Sequence, residues 1–197
     1  MRKIVVTEYI TLDGVIQAPG GPEPGMQYGG WSAAYYDPIV DEIAEKQKKP
    51  AKDFLLGRKT FETFASFFPT DQGRTVWPGN DDITKYVVSA SDVDVSVWKN
   101  SVHLKGIEDI KKLKEQDGTD IQVSGSGVLI QALLKEDLVD EIWLLIHPVT
   151  LGEGRKLFAE GTIPAAFKLV ESKTTPSGVA ALHYVRDGNL KLGMMGS

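Results

Sequence analysis

The chain has 197 residues, with 22 Lys and Arg against 27 Asp and Glu, a formal net charge of −5. Hydrophobic residues make up 42% and charged residues 25%, the balance of an ordinary soluble domain and too apolar for disorder. The absence of cysteine excludes a disulfide framework, a thiolate metal site and a cysteine nucleophile, and the acidic balance argues against a nucleic-acid binder, which needs a basic face.

Ile4–Ile10 is rich in β-branched residues and predicts a strand. Ala18–Gly25 is dense in Gly and Pro and is either a lid or site wall, or a mobile surface loop. Asp37-Pro38 opens a helix, with Asp as cap and Pro at the first helical position. Ile39, Val40, Ile43, Ala44 and Gln47 follow at helical spacing, and Lys46, Lys48 and Lys49 suit its negative end. Phe54–Leu56 predicts a short buried strand stopped by Gly57, and Phe61, Phe64, Phe67 and Phe68 a helical stripe. Tyr86–Val88, ending at Ser89, and Asp120–Val123 predict further strands. Helices are expected around Ile107, Ile110 and Leu113, and around Val128–Ile130 with Leu133 and Leu134. Glu141–Ile146 is the strongest strand, and Phe167–Val170 and Val179–Val185 predict an antiparallel pair around Thr175–Gly178. Residues 188–197 read as a tail, so one domain is expected over 1–187. No apolar run approaches the roughly 20 residues of a membrane span, and Glu8 comes too early for a signal peptide; the cytoplasm is the expected location.

Strands alternating with helices imply an α/β fold with a mostly parallel sheet covered on both faces. Ligands of such sheets sit outside the carboxyl ends of the strands. Two strand ends have the chemistry of an anion site. Ser124-Gly125-Ser126-Gly127 leads directly into a helix whose free amides carry partial positive charge; a plain strand-to-helix turn is the alternative. Ile130 stands where a dinucleotide fingerprint has its third Gly, and neither a P-loop nor a G-x-S-x-G elbow is present. Gly57-Arg58-Lys59-Thr60 repeats the arrangement with two cations, which oppose the helix dipole unless an anion lies there; a solvated basic pair is the alternative. Two such turns suggest one ligand with two anionic regions, and a dinucleotide with an extra ribose phosphate, NADPH, fits. His103, His147 and His183 have no ligand spacing, so no metal is expected. His147 either lines the site or is structural, and Trp31 and Tyr28 either stack on a flat ring or pack.

Leu12-Asp13-Gly14, Leu56–Glu62, Val123–Gly127 and Pro148–Gly154, in this order, resemble the dihydrofolate-reductase-like superfamily. They are most similar to the stand-alone proteins grouped with the C-terminal reductase domain of bifunctional riboflavin biosynthesis enzymes. The resemblance spans Ile4 to about Arg186. It implies a three-layer fold with a central sheet of about eight strands, NADPH as hydride donor, and a homodimer. It also implies a pteridine- or pyrimidine-type substrate, as in reduction of a ribosylaminouracil. Gly57, Arg58, Lys59 and Thr60 match the segment that holds the adenosine-side phosphates, and Ser89 a serine near the ribose phosphate. Ser124, Gly125, Ser126 and Gly127, with Val128 and Leu129, match the pyrophosphate turn; Val15 and Ile16 match backbone positions beside the nicotinamide. Asp13 is the residue expected to touch substrate or to position a proton donor, with Trp31, Pro148, Leu151 and Gly152 around the substrate. The chain departs from the riboflavin enzymes in lacking a deaminase domain and in carrying Gly30-Trp31-Ser32-Ala33 before the first helix. Two rival expectations are a non-catalytic NADP(H)-binding or regulatory homodimer with the same cleft, and a structural dimer joined through Trp143 and the C-terminal strands.

Overall fold

The computed structural model describes residues 1–47, 49, 52–160 and 162–195. Lys48, and Gly196 and Ser197 of the expected tail, lie outside the described residues. The elements in chain order are β1 (Ile4–Thr11), α1 (Pro38–Gln47), β2 (Asp53–Gly57), α2 (Arg58–Ala65), α3 (Asp71–Val76), β3 (Lys85–Val88), β4 (Ser101–Leu104), α4 (Ile107–Glu115), β5 (Ile121–Val123), α5 (Gly127–Lys135), β6 (Glu141–His147), β7 (Phe167–Thr174) and β8 (Ala180–Arg186).

The strands form one sheet in the order β4-β3-β2-β5-β1-β6-β8-β7. All neighbouring pairs from β4 to β6 are parallel; β8 runs antiparallel to both β6 and β7. This is the α/β fold expected from the alternating elements and the closing hairpin signal. Among the described residues no helix is long and apolar enough to cross a membrane.

Register makes β1 the organising strand. It pairs with β5 from Ile4↔Ile121 to Val6↔Val123 and no further, then continues along β6 as far as Thr11↔His147. The second half of β1 therefore faces the turn between β5 and α5. Side chains of a strand alternate between faces, and both faces of β1 are covered. Ile4, Val6 and Ile10 join Leu129, Ile130 and Leu133 on the α4/α5 face. Val5 and Tyr9 pack with Val40, Ile43, Trp143 and Leu145 on the α1 face. A third cluster of Phe54, Leu56, Phe61, Trp77, Val87 and Trp98 anchors α2 beside β2 and β3.

Two local expectations change. α2 stops at Ala65, and Phe67 and Phe68 follow in a turn whose amides both donate to the Phe64 carbonyl, at 3.1 and 2.8 Å. Phe68 still reaches the third cluster, stacking on Trp98 at 5.8 Å. The stripe thus has a helical beginning and a turn at its end. α3 and β4 carry little apolar periodicity: α3 has a mid-helix Gly73 and begins at Thr70, whose hydroxyl accepts from Gly73 N–H at 3.1 Å. β4 is a four-residue edge strand of sequence SVHL.

The third cluster is tied together by Asn80, which is fully buried. Its Oδ1 accepts from Trp98 Nε1 at 3.0 Å, its Nδ2 donates to the Trp77 and Phe68 carbonyls at 2.9 and 3.2 Å, and its carbonyl accepts from Lys85 Nζ at 3.0 Å. Burial pushes the Lys85 pKa down to about 8. Removing the amide leaves a buried indole N–H without its acceptor. Asn80→Ala is expected to destabilise the chain by about 2–3 kcal/mol in urea unfolding, against less than about 0.5 kcal/mol for the exposed control Asn189→Ala.

Candidate functional site

A helix begins with amides that have no intrahelical partner and with the positive end of its dipole. In α1 the Asp37 carboxylate accepts from Ile39 N–H at 2.9 Å; in α3 Thr70 caps and Asp71 follows; in α4 Glu108 and Asp109 stand in the first turn. α2 and α5 have neither a side-chain cap nor an acid in the first turn. These are also the helices that leave neighbouring strands, β2 and β5. Their beginnings touch. A Cβ on Gly57 would lie 2.6 Å from Ser126 Cβ, and one on Gly125, whose φ is +61°, would lie 3.3 Å from Thr60 Oγ1. The two turns expected from sequence as separate anion sites are therefore one continuous cradle.

Arg58 and Lys59 are exposed at its α2 side, and Arg58 Nε lies 4.0 Å from Glu62. Ser89 is buried at the end of β3, its hydroxyl 3.2 Å from that of Ser91 and its carbonyl accepting from His103 Nε2 at 2.8 Å. On the α5 side Gly127 and Leu129 are buried and Val128 is exposed. Sequence reasoning missed Arg155. A Cβ on Gly127 would lie 2.7 Å from Arg155 Cδ, so the arginine crosses the start of α5, and its guanidinium makes no ion pair or hydrogen bond among the described residues. Only the loop that follows β6 brings it there, and no local motif signals that.

Glu8 was missed as well. It lies on β1 beyond the last β5 pairing, 5% exposed, and Gly125 N–H donates to its Oε1 at 2.5 Å. Desolvation pushes its pKa up to about 8, against the smaller opposing effect of that hydrogen bond.

Asp13 sits just past β1 and binds its own chain. Thr11 Oγ1 donates to it at 2.5 Å, Gly152 N–H at 2.8 Å and Leu151 N–H at 3.2 Å. These donors, Thr11 first, hold its carboxyl below the usual carboxylate range. Asp13 thus clamps the β1 end to the loop carrying Pro148, Leu151 and Gly152. The same junction fixes Val15 and Ile16, both buried: Val15 N–H donates to Thr11 Oγ1 at 2.9 Å and Ile16 N–H to the Arg155 carbonyl at 2.9 Å. The Ile16 carbonyl accepts no hydrogen bond among the described residues.

On the opposite face of β1 lies a cavity of about 230 Å³ lined by Tyr9, Ser32, Tyr35, Tyr36, Asp41 and His147, with Pro19, Gly20, Ala33 and Val40. His147 is 1% exposed, and its Nδ1 is 2.9 Å from the Leu145 carbonyl. A carbonyl only accepts, so Nδ1 carries the proton and Nε2 of the neutral ring is an acceptor. Burial lowers the His147 pKa, which keeps the ring neutral. Trp31 packs edge-on against this ring at 5.2 Å and donates from Nε1 to the Gln17 carbonyl at 2.8 Å; it backs the histidine and is not among the lining residues. Tyr28 is 47% exposed. Asp37 is the helix cap expected, while Asp41 reaches the cavity and accepts from Tyr36 Oη at 2.6 Å. Pro148, Leu151 and Gly152 lie in the adjoining loop and do not line the cavity. Among the described residues no group of three or more His, Cys, Asp or Glu is placed to hold a metal ion.

Known proteins share this architecture. It matches the crystal structure of a putative riboflavin biosynthesis protein from Shewanella sp. PV-4, with a TM-score of 0.62 and 23% identity over 94% of this chain and 99% of that one. A pyrimidine reductase-like protein from Corynebacterium diphtheriae gives 0.65 and 11%, over 95% and 93%. Dihydrofolate reductase from Enterococcus faecalis, complexed with NADP(H) and RAB-propyl, gives 0.60 and 17%, over 94% and 96%. The fold is therefore dihydrofolate-reductase-like. The family description "RibD C-terminal domain" matches residues 2–181, and the chain belongs to that family. Two relatives from Bacillus subtilis (strain 168), the uncharacterized proteins YyaP and YwjB, are each 29% identical, covering 95% and 94% of this chain and 96% and 98% of their own lengths.

Glu8 gives this site a signature in stability. Its pKa is raised from 4.5 to about 8 on folding. The unfolded chain thus loses this proton first, and the Glu8 contribution to stability falls as pH rises from about 4.5 to about 8. Measured by urea unfolding at pH 5 and pH 8, the stability of Glu8→Gln relative to the wild type should increase with pH; a difference independent of pH contradicts the assignment.

Proposed function

We propose that the protein is an NADPH-dependent reductase acting on a small pteridine- or pyrimidine-type heterocycle. The observation that carries this is the cradle: α2 and α5, side by side, lack both a side-chain cap and a first-turn acid. The free amides and dipoles of two helices favour an anion. Arg58 and Lys59 would hold the adenosine-side ribose phosphate with Thr60 and Ser89, and the amides from Gly127 to Leu129 would take the pyrophosphate with Arg155. The fit is a tight one, because Gly57 and Gly125 leave no space for side chains between the two turns. The closed junction at Val15 and Ile16 flanks the nicotinamide, with the Ile16 carbonyl as its open backbone acceptor.

Bound there, the reduced nicotinamide supplies a hydride. The residues of this chain bind, orient and exclude water. The cavity across β1 is smaller than the roughly 300–1,000 Å³ of drug-sized sites, which suits a one- or two-ring head. Tyr9, Tyr35 and Tyr36 supply apolar walls and His147 Nε2 an acceptor. Asp13, held ionised, contributes as the clamp that fixes the loop bordering the place where coenzyme and substrate meet. A homodimer is part of the proposal, tested by light scattering for a mass of twice 21.6 kDa.

Titration by coenzyme fluorescence tests the central assignment. NADPH should bind more tightly than NADH by roughly 10- to 100-fold, the worth of one or two charge-assisted hydrogen bonds. Arg58→Ala with Lys59→Ala should bring the ratio close to unity. Equal affinities in the wild type would overturn the phosphate assignment. Turnover is then tested by NADPH oxidation against pterins, dihydrofolate and ribosylaminopyrimidines; tight NADPH binding with no substrate oxidising it would favour the binding-protein alternative.

A further inference from the structure

The wall of the cradle contains a carboxyl group with no counter-charge. Glu8 enters from β1, directly behind the β5–α5 turn, and takes the Gly125 amide for itself. That amide points away from the cradle, while Ser126, the residue before α5, caps nothing with its side chain. The groups packed around Glu8 leave it unpaired. On this face of the sheet β5 presents Ile121 and Val123, followed by Ser124, and none of them titrates. β6 carries Glu141, paired with Lys3 and His183 at the far end of the strand, and His147, on the opposite face. The first turn of α5 has no acid, and the nearby cations Arg58, Lys59 and Arg155 make no ion pair with Glu8. Tyr9, next on β1, faces the cavity. For the same reason Glu8 cannot reach a ring bound in that cavity, since neighbouring residues of a strand point to opposite faces.

A protonated carboxyl in this place steadies the turn without altering the positive field of the two helix ends. An ionised one would be an internal anion competing with the ligand's phosphates. Building on the coenzyme assignment above, we propose that Glu8 is a positioning residue that ties coenzyme binding to a proton: the neutral side chain holds the turn open for the phosphates, and its ionisation weakens their grip. Binding of the anionic coenzyme favours the neutral form further, so it draws a proton from solvent wherever Glu8 is partly ionised. The pH of half-ionisation in the free protein, about 8, lies within reach of a binding experiment.

Dissociation constants are measured from pH 7 to 9.5 for NADPH and for 2′-phospho-ADP-ribose, which carries the phosphates without the nicotinamide. Their 2′-phosphate is about nine-tenths ionised at pH 7 and completes its ionisation by about pH 8, a change that strengthens binding and so opposes the fall expected from Glu8. Wild-type affinity should fall about tenfold across it, since each pKa unit gained by Glu8 on binding is tenfold in affinity. Glu8→Gln keeps an oxygen for the Gly125 amide and should flatten the curve while matching the wild type at pH 7. Glu8→Ala leaves that amide orphaned and should bind more weakly at every pH, with circular dichroism verifying its fold. Calorimetry at pH 8 in buffers of different ionisation heat should find proton uptake by the wild type and none by Glu8→Gln. Parallel pH curves or equal proton uptake in the two proteins would overturn this inference and leave the coenzyme assignment standing. Failure of both proteins to bind either ligand at pH 7 would instead overturn the coenzyme assignment, and this inference with it.

Discussion

Two helix beginnings meet where Gly57 packs against Ser126, and the rest of the site follows from that contact. Like ends of two dipoles lie side by side, and neither α2 nor α5 answers its own charge with a cap or an acid. The other helices of the sheet's surround do so with Asp37, Thr70, Glu108 and Asp109. The arrangement persists because the helices are held by their apolar faces. Phe61 anchors α2 in the Trp77–Trp98 cluster, and Leu129, Ile130 and Leu133 anchor α5 on β1. Packing at each helix's flank thus sustains an electrostatic arrangement at its tip that would be unfavourable alone.

β1 separates the two halves of the site. Its alternation sends Glu8 to the cradle and Tyr9 to the aromatic cavity, and its end carries Asp13, which joins the β1 end to the loop after β6. That loop then returns Arg155 to the start of α5. A hydride donor and an acceptor ring meeting in direct contact at this strand end would both be held by one rigid junction, in which Val15 and Ile16 are buried.

The parts legible in the sequence are those whose signal is local. Gly57–Thr60 and Ser124–Gly127 announce themselves because glycine and an uncapped helix start adjoin in the chain, and Ile142–Ile146 because a buried strand is a run of apolar residues. That the two turns form a single cradle depends on β2 and β5 being neighbours, a pairing across more than sixty residues that no local pattern contains. Glu8 reads as a polar interruption in a strand until β5 is seen to stop at Val123. Asp13 is expected from the sequence to touch substrate or position a proton donor; that it binds its own chain is not legible there, because its donors Leu151 and Gly152 come from the far end of the chain. Trp31 reads equally as a stacking platform or as packing, and only the position of His147 places it behind the histidine.

The most direct measurement is an amide ¹H–¹⁵N titration of the free protein with NADPH. The amides of Arg58–Thr60 and of Gly127–Leu129 should shift together along one binding curve, while those opening α1, α3 and α4 stay in place. Shifts confined to one of the two turns, or spread equally over all the helix starts, would contradict a single shared cradle.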